Sequence, residues 1–289
     1  MKYLSFSGVK SMKRMLALFL LISLAAAVPA GATGLLPGLL GSGGVLSLPF
    51  SLLGGLGGLL TVSFDGVIGL NVPALGVSVS LATPLDAALV ARLPSGVSIP
   101  LTYPVLVHIQ PPLAGGLAFN GVTAIQLQTL SFLVPSNSPR MYAASDGGNF
   151  TDITIQNVNT GSSYRVIGTR GGFSEFLIVS DPRPVNTVIT EKLNSLSQIL
   201  TDNSGAISGT VASDLAAQLA TARADSDAGN PAAAVTDLDT FIATVAAHSG
   251  TDIPDVWRAT RDLTDVAGLL TAGAQTLEFS LRVKQGLAH

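Results

Sequence analysis

Between Arg14 and Asp65 no side chain carries a charge, and this constrains the chain more than any other feature. Lys2, Lys10, Lys13 and Arg14 precede an apolar run over 15–28, which is shorter than the roughly 20 residues that span a bilayer. Pro29 ends that run, and Ala30-Gly31-Ala32 then offers the small residues that a signal peptidase requires. The reading is a signal peptide over 1–32, cut between Ala32 and Thr33, and hence a secreted or periplasmic protein; an uncleaved anchor is the rival.

The chain has no cysteine, so a disulfide framework is excluded even for an exported protein. Removal of the four leading cations would take the formal charge from −3 to about −7. No Lys/Arg cluster remains to attract a phosphate backbone, which argues against nucleic acid as a partner.

Residues 33–60 are almost entirely Leu, Gly, Ser and Pro. Glycine costs about 1 kcal/mol relative to alanine inside a helix, so a long helix is disfavoured. Three readings stand: a flexible leader packed loosely on the adjoining β-rich domain, a membrane-surface contact, or irregular edge strands. From 61 to 181 the pattern changes to alternation. Val77, Val79 and Leu81 alternate with serines; Val97, Ile99, Leu101 and Tyr103 repeat the theme, as do Val105, Val107 and Ile109. Further strands are expected over 122–134, near Met141, and over 150–158, 164–169 and 175–180. Asp146-Gly147-Gly148, Asn159-Thr160-Gly161 and Arg170-Gly171-Gly172 supply the turns between them, with glycine providing positive φ. This predicts an antiparallel β-sandwich of immunoglobulin-like type, without the cysteine pair and strand tryptophan of true immunoglobulin domains.

Asp181-Pro182-Arg183-Pro184 marks a boundary, and 185–285 reads as a small antiparallel helical bundle. Ile189, Leu193, Leu196 and Leu200 form one stripe; Ile207, Val211, Leu215, Leu219 and Ala222 a second; Val235, Leu238, Phe241, Ile242 and Val245 a third. Val256, Trp257, Leu263, Val266, Leu270, Leu277 and Leu281 are expected on a last helix, with a break near Gly273. The fold class is thus all-β plus all-α in two domains.

Within 208–277, Leu215, Leu219, Ala222, Gly229-Asn230, Ala233-Ala234, Leu238, Phe241-Ile242 and Val245 form a pattern that resembles the FIMAH domain of exported bacterial proteins. That resemblance implies an exported protein with a helical appendage to which no catalytic residue is assigned. Taken with the β-rich half, the chain looks like an uncharacterised exported bacterial family.

Catalytic vocabulary is thin: three histidines, no cysteine and no Gly-x-Ser-x-Gly elbow. No catalytic residue is assigned, and a secreted hydrolase is the minor alternative. Asp146, Asn149 and Asp152 form an oxygen cluster beside a glycine turn that could recruit calcium; no other cofactor is expected. Tyr142, Tyr164, Phe173 and Trp257 are the candidate ligand contacts, because exposed aromatics serve as stacking platforms for sugars. The reading is an exported, non-enzymatic protein with a binding or cell-surface structural role, its partner a carbohydrate or a protein. A glycan-binding sandwich is the first alternative.

Overall fold

The computed structural model describes residues 43–52, 55–130, 139–145 and 147–288. The signal over 1–32, the Ala32/Thr33 cleavage point, residues 33–42 of the leader and Asp146 lie outside the described residues. Among the described residues, no helix is long and apolar enough to cross a membrane.

Two antiparallel sheets form the β-rich half. The first runs β1 (Gly44–Ser51), β2 (Gly57–Ile68), β5 (Ala118–Thr129), β9 (Tyr164–Arg170) and β8 (Thr154–Asn159). The second runs β3 (Val77–Leu81), β4 (Val105–Ile109), β10 (Glu175–Ser180), β6 (Pro139–Ala144) and β7 (Thr151–Asp152). Short helices α1 (Val72–Leu75) and α2 (Ala87–Val90) interrupt the strand sequence. Alternation drives the layering: Leu60, Val62 and Phe64 of β2 and Val105, Val107 and Ile109 of β4 enter one buried cluster shared by both sheets.

Part of the leader belongs to the first sheet. β1 pairs with β2 from Gly44 opposite Phe64 to Ser51 opposite Gly57, and it buries Leu48 and Phe50. Over these residues the edge-strand reading describes the chain, because Leu46, Leu48 and Phe50 alternate along it and pack on the core.

The alternation at 97–103 did not become a strand. Val97, Ile99 and Tyr103 are buried as the period requires, yet Leu101 is 82% exposed and the segment turns, with Tyr103 N–H donating to Pro100 O. Pro94, Pro100 and Pro104 deny the ladder its donors, so only an isolated bridge from Ser98 to Ser180 survives.

Ile153 sits where β7 passes into β8. Its N–H donates to Met141 O in the second sheet, and its carbonyl accepts from Thr169 N–H in the first.

The helices are α3 (Val185–Asp202), α4 (Gly209–Asp227), α5 (Pro231–His248) and α6 (Val266–Lys284). The anticipated stripes are their buried faces, and one cluster holds Leu193, Leu196, Leu215, Leu219, Leu238, Phe241 and Leu277. Pro231 opens α5, while Gly229 and Gly250, both at positive φ, close the helices before them.

Two differences concern the last helix. Val256, Trp257 and Arg258 form β11, a strand that pairs with β5 opposite Asn120, Phe119 and Ala118. α6 begins only at Val266 and continues unbroken through Gly273. Asp265 caps α6, its Oδ1 accepting from Gly268 N–H at 2.7 Å. Helix propensity yielded here to a partner strand.

Helices and sheets are interlocked. α6 packs against β5, β8 and β9. A Cβ on Gly268 would stand 2.4 Å from Gly121 O, and one on Gly171 would stand 2.5 Å from Leu269 N. Gly171 is not at positive φ as its turn position suggested; its role is to let the α6 backbone approach. Among the described residues, the expected β-rich and helical parts together form a mixed fold of two antiparallel sheets and six helices.

Candidate functional site

The sheets meet α3 and α6 around a cavity of about 440 Å³. Its wall carries Phe150, Asp152, Thr169 and Arg170 from the β-rich half, Glu191, Lys192 and Leu196 from α3, and Leu269, Ala272 and Thr276 from α6. The lining is mostly apolar with a few polar groups, which is the usual make-up of a small-molecule site.

Asp152 and Lys192 meet at its floor. Thr154 donates to Asp152 Oδ1 from its backbone N–H at 2.8 Å and from its hydroxyl at 2.6 Å, fixing the carboxylate. Lys192 Nζ stands 2.9 Å from Asp152 Oδ2 and donates to Thr276 O at 2.8 Å. One ammonium thus ties β7, α3 and α6 together. Burial pulls the Lys192 amine below its ordinary value, and the Asp152 charge opposes that shift.

A second network holds the start of α3. Tyr142 donates its hydroxyl to Asp181 Oδ2 at 2.6 Å, and Arg183 reaches Asp181 through Nε at 2.8 Å and Nη2 at 2.9 Å. The same guanidinium donates to the Tyr142 oxygen at 2.8 Å and to Glu191 at 2.8 and 3.0 Å. Burial pushes the Asp181 carboxyl up, but hydrogen bonds from Arg183 and Tyr142 outweigh it and hold the group below the usual carboxylate range. Burial first, then the charge on Asp152, drives the Tyr142 hydroxyl far above its ordinary value.

Arg92 supports the opposite side. It pairs with Glu175, donates to Gly148 O at 2.6 Å and lies 4.6 Å from the Phe150 ring centroid. Arg170 donates to Ser145 Oγ at 3.1 Å.

Of the four aromatic candidates, none stands free as a platform. Tyr142 is fully buried and spends its hydroxyl on Asp181; Tyr164 is buried in the core shared by the sheets. Phe173 and Trp257 come together at 5.2 Å between ring centroids, edge to face. Trp257 stacks on Phe119 at 5.0 Å, and Phe173 meets Phe119 at 5.4 Å. These rings satisfy one another and close the core.

Of the oxygen cluster, Asn149 is exposed, and the Asp152 carboxylate is engaged by Thr154 and Lys192, while Asp146 lies outside the described residues. Among the described residues, no group of three or more His, Asp and Glu side chains is arranged to hold a metal ion.

Sequence reasoning named Asp152 for another chemistry and missed Lys192, Arg183 and Arg170. A signal existed for the first. Lys192 stands four residues from both Val188 and Leu196, which places a cation inside the buried face of a helix.

No curated protein matches the chain at a significant level. A model of a family of unknown function, DUF6689, matches residues 59–285, a span that leaves out β1 and the first two residues of β2 but takes in the other strands and all four long helices. The cleft and the strands and helices that build it therefore fall within one family unit, and the chain belongs to the DUF6689 family.

Proposed function

We propose that the protein is exported and binds a small molecule in the cleft between the sheets and helices α3 and α6, without transforming it. The single observation that carries this reading is the cavity of about 440 Å³, apolar along most of its wall and edged by a few oriented polar groups. The charge-free N-terminal stretch supports export, as does the resemblance of 208–277 to the FIMAH module. The scarcity of nucleophile and base supports binding over catalysis. On this reading the two sheets act as an immunoglobulin-like scaffold, and the helices complete the pocket rather than hang from it.

Carbohydrate recognition through stacking aromatics is the weaker reading, since Tyr142 and Tyr164 are buried and Phe173 packs into the aromatic cluster. The test is a fragment screen followed by amide chemical shifts on labelled protein. Binders should perturb Thr169, Gly171, Lys192 and Ala272 together. A screen whose hits shift only residues away from these four would sink the assignment of the cleft. N-terminal sequencing of native material tests export, and an intact Met1 in a cytosolic fraction would overturn it.

A further inference from the structure

Among the described residues, the charges around the cleft do not cancel. Lys192 is matched by Asp152, and Glu191 is matched by Arg183. Arg170 also lines the cavity, and among the described residues its guanidinium donates to the neutral Ser145 hydroxyl and faces no carboxylate. Burial lowers Arg170 to about 10, which leaves it cationic at neutral pH. A guanidinium presents five N–H donors in a fork that suits a carboxylate, so most of its donors are left over after Ser145 is served. Much of the remaining wall is apolar, with Leu196, Ile199, Leu269 and Ala272 lining the space.

We propose that the cleft takes a small organic acid with an apolar body, its carboxylate on the Arg170 fork and its hydrocarbon against α3 and α6. The inference rests on the reading of the cleft as the ligand seat and adds the chemical class. A carboxylate supplies the missing negative charge, and an aliphatic or aromatic body replaces water along the helices. Lys192 does not compete for the anion, because its ammonium is already held by Asp152 and Thr276.

Decanoate and decanol serve as probes, titrated calorimetrically into the full chain below their aggregation thresholds. They share a tail and differ in the charge of the head. Decanoate is expected to bind about tenfold or more tightly than decanol, the value of hydrogen bonds to a charged group. Arg170→Gln should abolish that preference while leaving decanol unchanged, and Arg170→Lys should keep part of it. Ser195→Trp, at an exposed position on the cavity wall, should weaken both probes. Circular dichroism of each variant establishes that it is folded. Equal binding of the two probes, unchanged by Arg170→Gln and lost in Ser195→Trp, overturns the carboxylate preference and leaves the cleft as a seat. Decanoate binding that survives both Arg170→Gln and Ser195→Trp places the acid elsewhere and overturns the inference. Failure of both probes to bind wild type also overturns it, while the fragment screen decides the seat separately.

Discussion

The Lys192 ammonium and the Asp152 carboxylate lie 2.9 Å apart, with side chains only 7% and 3% exposed. A buried pair gains little over apolar replacement, but breaking it leaves a naked charge. Lys192→Met alone, or Asp152→Asn alone, should cost about 3–5 kcal/mol in urea denaturation. The double variant should lose clearly less than the two added together. Additive losses would mean that the two groups do not interact.

Asp265 is fully buried at the start of α6, and burial, reinforced by the charges of Asp255 and Asp65, pushes its carboxyl up to about 8. An unfolded aspartate ionises near 3.9, so between about pH 4 and 8 only the folded chain keeps the proton. Stability therefore falls as pH rises through that window and levels off above it. Asp265→Asn retains an acceptor for Gly268 N–H and cannot ionise. It should match wild type at pH 4 and exceed it by on the order of 5 kcal/mol at pH 8. Glu278, raised by burial to about 7, tilts both curves in the same sense, so the difference between them is the measurement. Parallel curves from pH 4 to 8 would remove Asp265 as the cause.

Trp257 reports on the interlock, because it is the single tryptophan and its strand pairs with β5. If β11 and α6 make the sheets and helices one cooperative unit, tryptophan fluorescence and helical circular dichroism should change at the same urea concentration. Trp257→Ala should lower stability by about 2–4 kcal/mol, a large ring lost from a stacked cluster. Two separated transitions would restore independent halves.

Much of the architecture was legible because burial writes a period into the chain. Val105, Val107 and Ile109, or Leu215, Leu219 and Ala222, announce their elements without outside help. What escaped was decided between segments distant in sequence. Trp257 lies in a stretch of mixed polarity that was read as part of a helix, and only β5 makes it a strand. Val97, Ile99 and Tyr103 kept their burial but not their ladder, since prolines removed the donors. The candidate site was harder still. Asp152 was visible as a carboxylate and Lys192 as a cation on a buried helix face, yet they stand forty residues apart and no local pattern reveals that they meet. Gly171 read as a turn residue, whereas its missing side chain matters for the backbone of α6.

Ile153 carries a mechanical corollary. One residue bonded to Met141 on one side and Thr169 on the other acts as a rivet, denying the two layers any freedom to shear. The helical wall has its own ties to that frame, since Arg183 fixes the start of α3 to Asp181 and Tyr142, and Lys192 fixes its next turns to Asp152.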